Sequence, residues 1–432
     1  MGESASRVDG IEEARMNHLI RFFGSGEALL DENSVQLADE NGEELLVPSF
    51  VESYDNSQIV GITCEQERNP IGLKLPYGSA TAKIAAAADA NLVDAVRMQI
   101  YRGGEICGTY YAVQGSNNLR GMADVGGADA LILLDSVQFL GRFLGAVSAV
   151  ALIAEICGDA GVPVEYGVTH LLDSNGEQVA LADVAVSGYM HGGTGREALR
   201  KICLATGLIP IVTKNGTIRF VSYQNAGTPI AYTSVVYGLS LKQSAYYSRL
   251  VIYWNKYVLD TKSDKESVIS ETLDSGSYRY VFDDPHANYV GTNCTITSSG
   301  SNFVEFSVLA DAKDVEIKGS KYKKITLTEA FDNPVQTGAT NVYVLKDTEV
   351  SSNVGGVMQR LYRYICGATG KQTSLTASLH AGGTDEMYAE NMELTTSANG
   401  DTMQIDVESA EYSLDINDTF FAKVNGTRRI AE

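Results

Sequence analysis

Residues 187–223 read SGYMHGGTGREALRKICLATGLIPIVTKNGTIRFVSY. Thr194, followed three residues later by Glu197, has the spacing of a capping box, so a helix is predicted to begin at Thr194. Leu199, Ile202, Cys203 and Thr206 then fall on one face at helical spacing. Gly207 follows the last of them, where a helix end calls for a left-handed residue. Two β-branched runs, LIPIVT and TIRFVS, flank Asn215-Gly216, a strong short-range hairpin signal. Helix, glycine stop and hairpin agree at every local level.

The glycines ahead of this helix, Gly192, Gly193 and Gly195, admit two readings. A glycine-rich loop at a helix N-terminus is able to cradle a phosphate. Neither GxxxxGK[ST] nor a GxGxxG after a buried parallel strand is present, so a structural turn is the simpler reading.

A chain of 432 residues is long enough for about two to four domains with their own cores. Its formal charge of −21 argues against binding a phosphate backbone, which needs clustered Lys and Arg. Cys64, Cys107, Cys157, Cys203, Cys294 and Cys366 are singly spaced, with no CxxC pair, and read as reduced and mostly buried thiols. The polar start MGESASRVDGIEEARMN does not resemble a signal peptide. The longest apolar run, Phe143–Ala154, is too short to span a bilayer; it reads as a buried helix ending near Gly158, and no stable membrane insertion is expected.

Residues 1–18 are charged and poorly patterned, the mark of a mobile arm. β-patterning begins at HLIRFFG and continues through VPSFVESYD and SQIVGITCEQE. MQIYRGGEICGTYYAV reads as a hairpin turning at Arg102-Gly103-Gly104. ADALILLD reads as either strand or short helix. Around Leu250, Ile252 and Trp254 the alternation is long and aromatic, as in a strand buried on both faces, or with one face in a core and the other at an interface. SYRYVFDDP, FVEFSVL and DVEIKG alternate as in a small all-β unit. Val354, Val357, Leu361 and Ile365 share one helical face that Gly367 would stop. In TMQIDVE, Met403, Ile405 and Val407 point one way, and Gln404, Asp406 and Glu408 the other.

The fold class is therefore mixed, mainly β with α+β elements. It divides into an arm (1–18), a first β-barrel-like domain (19–142), an α+β segment with the capped helix and hairpin (143–235), a second β-barrel-like domain (236–261 and 336–432) and an inserted β module (262–335).

Chemistry is sparse. The histidines, His18, His170, His191, His286 and His380, lie in no HExxH and at no metal-ligand spacing. Asp283, Asp284 and His286 in FDDPH suit a cation, but a turn before Pro285 explains them more simply. With no GxSxG elbow and no cysteine signature, no catalytic, cofactor-binding or metal residue is assigned and no cofactor is expected; paired carboxylates for glycoside cleavage stay open, since Asp and Glu are abundant and pairing is a three-dimensional property.

Several motifs in order resemble the tail-tip and baseplate hub proteins of tailed bacteriophages, phage-like particles and prophages of Gram-positive bacteria. They begin with ITCEQERNPIGLKLPYGSATAKI, MQIYRGGEICGTYYAV and ADALILLDSVQFLGRFLG. The most specific is GYMHGGTGREALRKICLATGLIPIVTKNGTIRF, followed by SRLVIYWNKYV, SGSYRYVFDDPHANY, VEIKGSKY and MQRLYRYICG. The resemblance spans about residues 56–410 and leaves residues 1–18 and the acidic tail unmatched. It implies a non-enzymatic homotrimer in the virion tail tip or baseplate, assembled in the host bacterial cytoplasm. Each subunit would supply two tube-like β-barrels to a ring that adapts a sixfold tail tube to a threefold tip or spike. Implied partners are the tail tube or distal tail protein, the tape measure protein, and tip, spike or receptor-binding proteins. Phage DNA would pass through the lumen without specific binding, which an acidic lining suits. Two rival readings are a tail-associated cell-wall peptidase or glycosidase, which zymography on peptidoglycan would reveal, and a glycan-binding receptor-recognition protein gripping through residues 262–335.

Overall fold

The computed structural model describes residues 18–23, 27–28, 46–47, 50–68, 75–85, 95–118, 121–222 save 174 and 176, 230–243, 247–310, 313–332, 341–354, 361, 373–380, 391–395, 402–414 and 420–428. The protein is mainly β, with several sheets and few helices.

Seven strands longer than two residues come first among the described residues: β1 (His18–Phe23), β2 (Phe50–Asp55), β3 (Ile59–Glu67), β4 (Ser79–Ala85), β5 (Arg97–Arg102), β6 (Glu105–Asn118) and β7 (Met122–Ala128). In β4, Ala80, Ala82 and Ile84 point inward while Thr81 and Lys83 face solvent, the alternation of a sheet with one wet face. The β5–β6 hairpin turns on Gly103 and Gly104, both left-handed at φ 57° and 88°. Such a two-residue turn needs positive φ at both centres, which is why the sequence has two glycines there.

The middle of the chain is α+β. Phe143 does not begin a helix, contrary to the sequence expectation. Residues 142–148 form a strand, β8 (Arg142–Ser148), and the helix α1 is confined to Ala149–Asp159. The switch falls at Ser148, whose hydroxyl accepts from the Ala151 N–H as an N-cap. The apolar run thus serves two elements of different period, and run length alone cannot separate them. ADALILLD resolves as a 3₁₀ helix, Ala130–Asp135, capped by Asp129. Next come β9 (Ala185–Met190), α2 (Gly195–Thr206), β10 (Leu208–Val212) and β11 (Ile218–Ser222). The two helices pack on each other in a core that holds Ile156, Cys157, Leu199, Ile202 and Cys203.

The rest returns to β: β12 (Ile230–Gln243), β13 (Arg249–Leu259), β14 (Glu266–Leu273), β15 (Gly276–Val281), β16 (His286–Thr292), β17 (Thr295–Ser299), β18 (Phe303–Val308), β19 (Lys313–Asp332), β20 (Val342–Thr348), β21 (Val350–Ser352), β22 (Thr373–His380), β23 (Asn391–Thr395), β24 (Thr402–Leu414) and β25 (Phe420–Arg428). Strands β14 to β18 and the first half of β19 enclose a core of Ile269, Val304, Phe306, Val308, Val315 and Ile317. β19 then runs on for 20 residues in all and pairs antiparallel with β13, while β20 pairs parallel on β13's other side. On β13, Leu250 and Ile252 are fully buried, and Val251 and Tyr253 on the opposite face are half-buried.

One sheet unites the two ends of the chain. Its twelve strands run β23-β12-β22-β25-β24-β3-β4-β7-β6-β5-β1-β2, and β23 also pairs with β24. The path β23-β12-β22-β25-β24 therefore returns on itself, whereas β3 to β2 curls open. Ser409–Leu414 on β24 pairs antiparallel with Ile62–Glu67 on β3. A single core runs beneath both parts, from Ile20 and Phe22 through Tyr110 to Ile405, Tyr412 and Val424. Ile405 and Val407 are buried and Met403 packs against them, as the TMQIDVE alternation predicts. Most of the expected 354–365 helix and residues 1–17 of the expected arm lie outside the described residues.

Candidate functional site

The capped helix α2 forms as read. The Thr194 hydroxyl accepts from the Glu197 N–H, the Glu197 carboxylate accepts from the Thr194 N–H, and Gly207 closes the helix at φ 78°. Leu199, Ile202, Cys203 and Thr206 are all fully buried. The hairpin that follows closes through a three-residue loop. The Gly216 N–H donates to the Thr213 carbonyl, and Gly216 takes φ 86°.

This geometry decides between the two readings of the glycine-rich lead-in. The Glu197 carboxylate already covers the helix N-terminus, and the Gly195 N–H donates to the Val137 carbonyl at 2.9 Å. A Cβ at Gly195 would crowd the Leu134 carbonyl, Ile156 and Val137, and one at Gly192 would lie 2.7 Å from Asn302 Nδ2. These glycines are required by close approach of neighbouring elements, and an acidic side chain stands where a phosphate would sit.

Three sets of contacts radiate from this unit. Towards the first strands, the Arg196 guanidinium pairs with Asp135 at 2.6 Å, donates to the Leu75 carbonyl at 3.1 Å and lies over the Tyr77 ring. The hairpin docks there too: buried Gln66 donates to the Val212 carbonyl, and the Thr109 hydroxyl to that of Lys214. Towards the β module, the Ser301 hydroxyl donates to the Gly141 carbonyl at 2.7 Å, and the Phe143 and Tyr322 rings meet at 4.4 Å.

The third set is a polar cluster. Lys201 Nζ lies 3.0 Å from Glu349 Oε2, while His191 Nε2 lies 2.9 Å from Glu349 Oε1 and 2.6 Å from the Tyr257 hydroxyl. Tyr189 packs edge-on against both His191 and Tyr257. The Glu349 side chain is only 8% exposed. Burial opposes its ionisation, but the His191 hydrogen bond and the Lys201 charge outweigh that, holding the carboxyl below its ordinary value. The cluster binds α2, the segment after β9, β13 and the β20–β21 junction to one another. Its ionised groups are neutralised internally, so what it supplies is mechanical coupling.

Elsewhere, Asp284 pairs with Lys321 at 3.2 Å, and a ring nitrogen of His286 lies 2.9 Å from the Asp284 carbonyl oxygen. Among the described residues no group of three or more His, Cys, Asp or Glu side chains gathers as a metal site. Cys64, Cys107, Cys157 and Cys203 are buried thiols, and desolvation pushes the Cys64 and Cys157 thiols up to about 12. Glu349, Lys201 and Tyr257 were not legible as a site: Lys201 and Glu349 lie 148 positions apart, and no local pattern announces such a pairing.

No protein-family model matches the chain, and no curated protein sequence does. Solved structures similar to it across most of its length include tail and prophage tail proteins. One is the tail protein from Neisseria meningitidis MC58, at 9% identity and a TM-score of 0.49, covering 95% of this chain and 96% of that one. A second is the 43 kDa tail protein of prophage MuSo2 from Shewanella oneidensis, at 11% identity and 0.46, covering 95% and 98%. A third is the prophage tail protein gp18 from Listeria monocytogenes EGD-e, at 10% identity and 0.46, covering 95% and 94%.

Proposed function

We propose that this chain is a structural hub of a phage tail tip or baseplate and carries no enzymatic activity. Three copies form a ring that adapts a sixfold tail tube to a threefold tip or spike and lets the genome pass. Tail tube or distal tail protein, tape measure protein and tip or receptor-binding proteins are its proposed neighbours. The observation that carries the reading is the pairing of β24 with β3. It locks a β unit from the start of the chain beside one from its end, in one sheet over one core. Two fused tube-like units per subunit turn three copies into six positions around an axis, which is what a threefold-to-sixfold adaptor needs. The ordered series of motifs from about residue 56 to residue 410 supports the same reading.

The charge of −21 fits a lumen that repels phosphate. Scattering mass and electron-microscopy class averages of the purified protein test the proposal. A three-subunit ring with a central hole supports it, and a persistent monomer argues against it. A neutral or basic inner wall in the ring would remove the lumen part alone, and a cleared zone on peptidoglycan zymography would overturn the non-enzymatic part.

A further inference from the structure

Most arginines of this acidic chain meet a carboxylate: Arg142 pairs with Glu155, Arg196 with Asp135, Arg219 with Glu165, Arg249 with Asp332 and Arg279 with Glu305. Arg21 on β1 and Arg97 on β5 are different. Among the described residues neither guanidinium donates a hydrogen bond or meets an acidic side chain. The two share one face of the sheet and are diagonal neighbours, since Arg21 stands opposite Gln99 and Phe23 stands opposite Arg97. That register sets their Cβ atoms about 7 Å apart. Arg21 lies over the Tyr101 ring at 4.9 Å and Arg97 over the Phe23 ring at 4.4 Å.

The polar groups around them are engaged elsewhere. Gln99 accepts from the Tyr101 hydroxyl at 2.9 Å, and the Thr109 hydroxyl donates to the Lys214 carbonyl. Asp55, diagonal to Arg21 on β2, accepts from the Ser57 N–H and hydroxyl. Arg97 Nε is buried without an acceptor. A buried donor with no acceptor is unfavourable, and so are like charges side by side on a sheet. The chain has 54 acidic residues against 33 Lys and Arg, yet none of those described is placed to neutralise this pair.

The geometry also indicates what would neutralise it. Stacking on a ring fixes each guanidinium plane and leaves N–H edges in the fork that suits a carboxylate. Side chains two residues apart on an extended segment project to one side, about 7 Å apart. That matches the spacing of the two arginines. A nucleic-acid strand fits less well, because its dense charge meets the field of a chain carrying −21. We propose that Arg21 and Arg97 form a docking site for an extended acidic segment of a partner protein, one carboxylate of an alternating pair seated on each guanidinium. The site stands whether or not three copies form a ring.

The test is fluorescence anisotropy of the full chain with a labelled octapeptide of alternating Thr and Glu. Wild type is expected to bind it, and Arg21→Gln/Arg97→Gln to bind it about tenfold or more weakly, as the loss of charge-assisted hydrogen bonds implies. Arg21→Lys/Arg97→Lys keeps the charge without the fork and should fall between the two; it carries the test if the Gln variant loses its near-UV circular dichroism. Arg249→Gln, whose guanidinium already has Asp332, should bind like wild type. An octapeptide with the same glutamates in adjacent pairs should bind several-fold more weakly, because neighbouring side chains point to opposite faces. Equal binding of the two peptides, equal binding by the folded Gln variant, no binding by wild type, or tighter binding of a labelled oligothymidine each overturns the proposal.

Discussion

Lys201 Nζ, on the exposed end of no helix but midway along α2, lies 3.0 Å from Glu349 Oε2 and fastens that helix to the junction of β20 and β21. The two side chains are 17% and 8% exposed. Removing one partner of a pair so shielded leaves the other charge uncompensated, at a cost of about 3 kcal/mol. Glu349→Ala is expected to lower urea-unfolding stability by that order. The double variant Lys201→Met/Glu349→Gln should recover much of the loss, and a double variant no better than Glu349→Ala would show the pair to be uncoupled.

The same carboxylate sets a pH dependence. Glu349 titrates lower in the fold than its ordinary value, so the unfolded chain binds more protons in the acid range. The stability it contributes is present above the ordinary carboxylate pKa and is lost as pH falls through the folded value. Denaturant midpoints measured across the acid range should fall less steeply for Glu349→Gln than for the wild type.

Asp129 gives the opposite sign. Its carboxylate is buried, and desolvation pushes its pKa from 3.8 up to about 7 despite hydrogen bonds from the Gly78 and Leu131 N–H groups. The folded state therefore binds the extra proton between those values, and wild-type stability should decline as pH rises from about 4 to about 7. Asp129→Asn is expected to abolish that slope. It also forfeits one of two acceptor oxygens, so its stability at low pH should drop by about 1–3 kcal/mol. An unchanged slope in chemical denaturation would mean that Asp129 remains ionised in the fold.

Much of the fold was legible because its signals are local. Thr194 with Glu197, Gly207, Gly103-Gly104 and the alternation of Met403, Ile405 and Val407 each follow from backbone preferences within a few residues. Phe143–Ala154 departs from its sequence pattern because a strand and a helix meet within one apolar run, and the switch at Ser148 is marked by a single hydroxyl. The β24–β3 pairing and the His191–Glu349–Lys201 cluster were invisible for another reason. Their partners are far apart in sequence, and the side-chain types involved are ordinary surface residues until the fold buries them.

Gly188 explains why a backbone constraint accompanies that cluster. It sits in β9 at φ 127°, and a Cβ there would collide with the carbonyl oxygen of Glu349. Both features exclude any other residue: the conformation is strained for an L side chain, and the space is filled by main chain that cannot rotate away. Gly188→Ala is expected to destabilise the protein by about 3 kcal/mol or more, through displacement of the β20–β21 junction. Gly145→Ala is the control, because a Cβ there meets nothing within 4 Å and its backbone φ is not left-handed. It should stay within about 0.5 kcal/mol of wild type. Thermal and urea unfolding of the two variants separate the causes. Equal losses would point to a general intolerance of glycine replacement in this segment, whereas a large loss at Gly188 alone locates the constraint at its contact with Glu349.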